Sequence, residues 1–441
     1  MHTDSQGLAL STASAGSAAL YNDAVTAFVS YRADMGQRAS AAVKADPGSV
    51  MPHVLKASLA MTAFKQALLP AVRSIHATAE GLAAGATPRE RAHVAALGAW
   101  VEQGPDAAAR IWAEILTEHP RDMLAFRLAH FAHFWSGRPD AMLRDVEAVW
   151  PAWHADMPGY AAMLACRCFA LEECGRLAEA EACGREAIVL APGEVWAAHG
   201  VAHVLEMQGR AEEGVAWLEG LSVNWDGVSN IQHHLWWHCA LFHLERGDAE
   251  GVLRLYDGRV RNLDSALTQA MPDLYIDVQN AVSLLFRLER LGVDVGRRWE
   301  ELAQQASQRI GDTMSTFSIP HWMLALGATG RVEEQAAMLA GLETSADPVV
   351  REVALPVSRA IAARAAGKAG VACDLLRPVL DRMARLGGSH AQQDLLELLF
   401  LDCAVSAGRQ GDLRLALSRA AAGRAVPIQS RVLWRAAALT D

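Results

Sequence analysis

The sharpest candidate for chemistry in this sequence is a set of histidines with helical spacing. His199, His203 and Glu206 stand at positions i, i+4 and i+7, so on one helix all three project from one face. His234 and His238 repeat the four-residue spacing in the next such helix. The four imidazoles could therefore converge on a divalent metal such as Zn²⁺, which would activate water for hydrolysis.

The same residues allow two further interpretations. In one they form a polar ligand pocket without metal, and in the other they are hydrogen-bonded packing residues. If the site is catalytic, the acting residues are His203, His238, Glu206 and His390, because imidazoles and carboxylates transfer protons near neutral pH. Glu206 would assist His203, while His234 and His238 bind metal or polarise the substrate.

Other residues are predicted to bind the ligand with them. Trp236 and Trp237 are adjacent and point in different directions, so one packs in the core and the other, assigned as Trp237, faces the ligand. For Asp277, the alternative to ligand binding is a place on a solvated helix face. For His321, the alternative is packing in the core. The complete ligand-binding set is His199, His234, Trp237, Asp277, His321, Ser389 and Asp394.

Ser389 and Asp394 belong to a separate motif that begins with Gly387 and Gly388. Two glycines permit a sharp turn, Ser389 can cap the following helix, and the N–H groups at that helix start could bind an anion or carboxylate. The motif lacks the Lys and the length of a phosphate loop. A simple capped loop is the alternative, and Asp394 is a further candidate acid.

Ten of the 16 histidines fall on helices that precede a glycine turn. In a helical-repeat protein these first helices are expected to line the concave ligand surface. His130 and His133 are interpreted as structural, since they stand among aromatic residues. The ten are His130, His133, His199, His203, His233, His234, His238, His243, His321 and His390.

The elements that position these residues are predicted from recurring glycines. Gly104, Gly137, Gly175, Gly209 and Gly247 are separated by 33, 38, 34 and 38 residues. Helical periodicity between them and the near absence of alternation predict an all-α, tetratricopeptide-like α-solenoid of about seven or eight helix pairs. It would be open, or curled into a closed superhelix.

One continuous solenoid over residues 91–441 is expected to follow a helical cap over residues 1–90. Within the cap, residues 1–18 are predicted to be loosely held. Long helical stretches are predicted over Tyr21–Ala45 and Val54–Leu82, the second with a break before Pro70. Thr87 is predicted to cap the next helix.

Several segments resemble the tetratricopeptide repeat protein 38 family. They are Ala198–Met207, His234–His238 with Phe242–Glu245, Ser283–Glu289 and Gly387–Gln392. The resemblance implies a closed helical-repeat fold over nearly the whole chain, and brings no established reaction with it. Where the family pattern leads us to expect Arg after Gln392, this chain has Gln393.

Composition excludes several classes of protein. The 441 residues are 52% hydrophobic and 20% charged, with no apolar run of about 18 residues, which excludes disorder and a polytopic membrane protein. The net charge is −10, so the chain lacks the excess positive charge expected of a protein that binds nucleic acid. Seven cysteines indicate reduced thiols, and the start of the chain lacks a secretory signal, so we expect a cytoplasmic protein without a membrane partner.

Two functions from different classes remain open. The first is a His- and Trp-rich pocket for a small polar molecule, with hydrolase or lyase chemistry if it is an enzyme. The second is a scaffold that holds a peptide or partner protein in its groove. Inner helices rich in His, Trp, Phe and Glu rather than Lys, Arg and Asn favour the pocket. Self-association is left open.

Overall fold

The computed structural model describes residues 2–422 and 426–438. The regular secondary structure of this part of the chain is almost entirely helical. Its strands are a single antiparallel pair, β1 (His2–Thr3) and β2 (Ala9–Leu10), in which His2 faces Leu10. The predicted all-α, tetratricopeptide-like helical-repeat class is therefore confirmed.

The described residues form 24 α-helices. In chain order these are α1 (Ala15–Val29), α2 (Met35–Ala45), α3 (Val50–Met61), α4 (Leu69–Leu82), α5 (Pro88–Gln103), α6 (Pro105–Glu118), α7 (Met123–Trp135), α8 (Pro139–Val149), α9 (Tyr160–Glu173), α10 (Leu177–Leu190), α11 (Val195–Met207), α12 (Ala211–Leu221), α13 (Ile231–Glu245), α14 (Ala249–Leu255), α15 (Ala266–Ala270), α16 (Tyr275–Arg290), α17 (Arg298–Ser307), α18 (Ser318–Ala328), α19 (Val332–Glu343), α20 (Leu355–Ala365), α21 (Ala369–Leu376), α22 (His390–Ser406), α23 (Gln410–Ala422) and α24 (Val432–Ala438).

Short 3₁₀ or π segments extend or join some of these helices. They cover Gln66–Leu68, Ala83–Gly85, Trp150–Ala152, Ser222–Asn224, Tyr256–Val260, Val350–Ala354, Arg377–Leu386 and Ile428–Ser430.

Helix pairs closed by a glycine are the repeating unit. Between α9 and α10, Gly175 has φ +76°, and the N–H of Arg176 donates to the carbonyl of Leu171 at 2.8 Å, which satisfies the end of α9. Nine helix pairs in the described chain meet at such a glycine, one more than the upper end of the prediction. Eight of them repeat this hydrogen bond, whereas Gly104 is followed by Pro105, which has no N–H. The nine glycines, all with positive φ, are Gly104, Gly137, Gly175, Gly209, Gly247, Gly292, Gly330, Gly367 and Gly408.

For the helices before residue 90, one prediction from the sequence was wrong and two are confirmed. The stretch Tyr21–Ala45 is two helices, because Tyr31 takes a left-handed φ of +53° and its carbonyl accepts the N–H of Ser229 at 2.7 Å. The break before Pro70 is present between α3 and α4. Thr87 caps α5 in a capping box with Glu90.

The N-terminal segment is held firmly, so the prediction that it is loose was wrong. Leu10 is buried, and α1 already begins at Ala15. The Ser11 N–H donates to Glu90 at 3.0 Å, and the Ala13 N–H donates to Asp46 at 2.6 Å. These carboxylates lie tens of residues away in sequence, which is why composition alone misled the prediction.

The chain divides into two compact units. The first comprises Met1–Val201 and Val223–Ile231, and the second comprises Ala202–Ser222 and Gln232–Asp441. The boundaries fall within α11, just after α12 and just after the first residue of α13. The predicted boundary between a cap and the repeats at residue 90 stays a prediction.

All seven cysteines carry free thiols, six of them buried and Cys174 half-buried. Burial raises the pKa of the Cys239 and Cys403 thiols to about 12, and that of Cys168 well above its usual range. The reduced state agrees with the sequence prediction. Among the described helices, none is long and apolar enough to cross a membrane.

Candidate functional site

The second unit brings three of the predicted histidines together. His203 lies on α11, and His234 and His238 lie one turn apart on α13. The ring centroids of His203 and His238 are 4.5 Å apart, and those of His234 and His238 are 4.8 Å apart. A ligating nitrogen from each of the three lies within 4.8 Å of those of the others. We call these three residues the imidazole cluster.

The imidazole cluster is buried because almost every side of α13 is covered. His203 and His238 are fully buried, and His234 is 3% exposed. The i, i+4 spacing puts His234 and His238 on one face of α13, which carries them to the same place as His203. These side chains therefore lie inside the packed structure, whereas the sequence predicted an exposed groove.

Two imidazoles of the cluster are oriented by oxygen acceptors. The Nδ1 of His238 lies 3.1 Å from Oε2 of Glu206, one turn after His203 on α11. The Nδ1 of His234 lies 2.9 Å from Oδ1 of Asn280 on α16. Bonds of this kind fix the tautomer with the proton on Nδ1, which makes Nε2 the nitrogen suited to a metal.

Burial also fixes the charge state of the cluster. Desolvation, followed by the charge of His238, lowers the pKa of His234 to about 3, although its bond to Asn280 acts the other way. Desolvation and then His238 also lower the pKa of His203 far below its usual value. Both rings are therefore neutral at neutral pH. A neutral imidazole can bind a metal but does not donate a proton as the imidazolium acid that the sequence argument assumed.

Trp237 and Asp277 are engaged inside the second unit. The Trp237 ring stacks on His234 with centroids 5.0 Å apart, and its Nε1–H donates to Oγ of Ser283 at 3.3 Å. Asp277 is fully buried, and its Oδ2 lies 3.1 Å from Nδ1 of His233. The solvated-face alternative for Asp277 was wrong. Trp237 supports the cluster from the side, and its role as a ligand platform stays a prediction.

His390 and Asp394 line a cavity of about 470 Å³ in the second unit. Asp394 accepts from the guanidinium of Arg431 at 2.5 Å and lies 3.7 Å from Nη2 of Arg287. Arg287 also donates to Oγ of Ser283, the acceptor of Trp237. A continuous set of polar contacts thus joins the wall of the cavity to residues that pack on the imidazole cluster.

Arg287 and Arg431 are the residues of this site that the sequence analysis missed. They bring two positive charges to Asp394. Neither arginine has a sequence signal for this role, because they stand 107 and 37 positions away from Asp394.

Ser389 acts as a helix cap. It is buried, its Oγ accepts the N–H of Gln392, and its own N–H donates to the side chain of Gln392 at 3.0 Å. This geometry fits the capped-loop alternative, and the predicted role of Ser389 in anion binding stays a prediction.

Three other predicted histidines make contacts typical of packing residues. His199 lies in the first unit, with its ring 4.5 Å from that of Trp196 and 5.1 Å from that of Phe169. His321 is 2% exposed, and its Nδ1 lies 2.8 Å from the carbonyl of Phe317. His133 lies 3.0 Å from Asp145 in a buried pair, as a structural residue would. The position of His321 is that of a packing residue, one of its two alternatives.

The fold and site together define a helical-repeat protein of tetratricopeptide-like type with a buried imidazole cluster. No protein-family model matches the sequence. The chain is similar to a chain in a solved structure described as Naa15/Naa10 bound to HypK-THB, with a TM-score of 0.24 and 13% identity. The match covers 92% of this chain and 63% of the other, less than two thirds of its length. A likeness at this level carries no argument about function.

Proposed function

We propose that the second unit binds a divalent transition metal, with Zn²⁺ the best match, through His203, His234 and His238. The observation that carries the proposal is the convergence of three buried imidazoles whose ligating nitrogens lie within 4.8 Å of one another. Metal ligation through Nε2 would keep the Nδ1 bonds of His234 and His238. Three protein ligands are the number typical of catalytic zinc, which keeps its fourth position for water or substrate.

Such a metal would supply a bound water of lowered pKa, suited to hydrolytic or lyase-type chemistry on a small polar molecule. Glu206 and Asn280 would position two of the ligands. His390, Asp394 and Arg431 line the neighbouring cavity and offer it both signs of charge. The sequence prediction that His199 also binds the metal stays a prediction, and it would give a site of four protein ligands without the open position.

The second candidate is a scaffold for a peptide or partner protein. The helical-repeat architecture itself supports it, because stacked helix pairs commonly bind partners along their surface. Under this candidate the imidazole cluster would be part of the packed interior. Membership of the tetratricopeptide repeat protein 38 family, closure of the repeats, a cytoplasmic location, self-association and the lack of nucleic-acid and membrane partners also stay proposals.

Metal titration of single variants tests the metal site. We expect the purified chain, titrated with Zn²⁺ against a chromophoric chelator, to bind one equivalent that His238→Ala loses. The matched control is His243→Ala on the same helix, since His243 belongs with Glu219 and Cys239 to a separate group of possible ligands. Circular dichroism should show both variants folded.

A wild-type chain that binds no zinc would contradict the metal proposal and favour the scaffold. Loss of the zinc in His243→Ala together with its retention in His238→Ala would move the site to the other group. Retention by both variants would also reject the imidazole cluster as the site.

A further inference from the structure

A second cavity lies in the first unit and is lined by both apolar and polar side chains. It has a volume of about 390 Å³. Its walls include Val25 and Val29 of α1, Met123 of α7 and Met157 before α9. The turn between β1 and β2 forms another wall, held there by the side chain of Gln6, which donates to the carbonyl of Pro158 at 3.3 Å.

Glu194 is the one charged side chain among the described residues that line this cavity. It precedes α11 and is 7% exposed, and its Oε1 accepts the N–H of Trp196 at 3.2 Å. The described residues place no Arg, Lys or His nitrogen within ion-pair distance of its carboxyl group. A buried carboxylate normally has a cationic partner, so this one presents an incomplete pair to the cavity.

Arg127 is the positive charge that acts on Glu194, and its guanidinium is engaged elsewhere. It donates to the hydroxyl of Tyr31 and lies 3.4 Å from Sγ of Cys166. Its Cζ also lies 4.8 Å from the ring centroid of Tyr31 and 4.9 Å from that of Trp196, two rings that stack on each other. Arg127 does not line the cavity. The side of Glu194 that faces the cavity can therefore pair with a ligand.

We propose that this cavity binds a small organic cation consisting of a primary ammonium group on a short aliphatic chain. The ammonium would pair with Glu194, a charge-assisted contact in a site of low dielectric constant. The chain would lie against the valine and methionine side chains. A neutral molecule of the same shape would fill the cavity and leave the carboxylate without its partner, and an anion would be repelled.

The test compares hexylammonium with 1-hexanol, which has the same chain and no charge. Isothermal titration calorimetry of the full chain should give a dissociation constant for hexylammonium about tenfold or more below that for 1-hexanol. Glu194→Gln should abolish this preference by weakening hexylammonium alone. The matched control is Glu186→Gln, which removes the same charge from an exposed position on α10 and should leave both constants unchanged.

A third variant shows whether the probes occupy this cavity. Ala155 lies on an exposed loop at its edge, so Ala155→Trp should fold normally and weaken both probes. Equal binding of hexanol and hexylammonium, or unchanged hexylammonium binding in Glu194→Gln, would overturn the proposal. Insensitivity of both probes to Ala155→Trp would overturn it as well.

Discussion

At the scale of single residues, burial acts on His321 and Glu194 with opposite results. The charged form of each group is the one that loses hydration, so the pKa of a buried histidine falls and that of a buried carboxyl group rises. Desolvation lowers the pKa of His321 to about 4 and raises that of Glu194 to about 7. The two residues should therefore give the stability of the protein opposite dependences on pH.

For His321 we expect stability to be lost in acid. Between about pH 6.5 and pH 4 the unfolded chain binds a proton at this residue and the folded chain does not, so the free energy of unfolding falls with falling pH. The full effect is about 3 kcal/mol. In urea denaturation at several pH values, His321→Leu should be less stable at pH 7 but flatter below pH 6.5. Equal pH slopes for the two chains would show that His321 is not neutral in the folded state.

For Glu194 the sign is reversed. Its folded pKa lies above the unfolded value of 4.5, so stability is highest in acid and falls as the pH rises from 4.5 towards 7. The unfolding free energy of the wild type minus that of Glu194→Gln should therefore fall by about 3 kcal/mol between pH 4.5 and pH 7. A difference that stays constant with pH would mean that the carboxyl group is hydrated.

At the scale of elements, α12 offers a matched pair of glycines. A Cβ atom at Gly214 would overlap the ring of Phe242, whereas one at Gly220 meets nothing within 4 Å. Gly214→Ala should therefore lower the free energy of unfolding by about 1–3 kcal/mol through overpacking. Gly220→Ala should raise it by about 0.5–1 kcal/mol, because alanine favours the helix.

Thermal or urea denaturation of both variants measures these two changes in the free energy of unfolding. Similar effects of the two substitutions would mean that α12 does not pack closely through Gly214.

The sequence predicted features of the elements that depend on local physics. Glycine spacing gave the helix pairs because the left-handed turn at a residue such as Gly175 is a property of that residue. The grouping of His234 and His238 followed from helix geometry in the same way. By contrast, the break at Tyr31 depends on a hydrogen bond to Ser229, and the partners of Asp394 come from distant helices. Contacts between residues so far apart in the sequence leave no periodic signal in it.

Burial was the property of the candidate site that the sequence could not supply. The spacing of His203 and Glu206 shows which face they share, but it does not show what covers that face. The structure places the imidazole cluster in the interior, where desolvation keeps His203 and His234 neutral. Of the two chemistries expected from the sequence, this burial argues against proton donation by these rings, and metal binding stays the proposal. His390 remains accessible and lines a cavity, as a ligand-binding residue would.

At the scale of the whole molecule, the two proposed ligands belong to different units. Zn²⁺ should stabilise the second unit and hexylammonium the first. A ligand at a concentration one hundred times its dissociation constant adds about 2.7 kcal/mol to the unfolding free energy of the part that binds it. We expect pulsed hydrogen exchange to show zinc protecting α13 and hexylammonium protecting α1, each reversed by removal of its ligand. Protection of the same helices by both ligands would contradict the assignment to separate sites.

The burial of the cysteines has a practical consequence for measuring motion. Thiol reagents react with the exposed thiolate, and the native thiols are buried or half-buried, several with raised pKa values. A cysteine introduced at Val189 on α10, which is 81% exposed, or at Val332 on α19, which is 71% exposed, should therefore react with a maleimide dye well before the native ones. A chain carrying both would place one fluorophore on each unit without any native cysteine being replaced, and energy transfer between the dyes would report the distance between the units as each ligand is added.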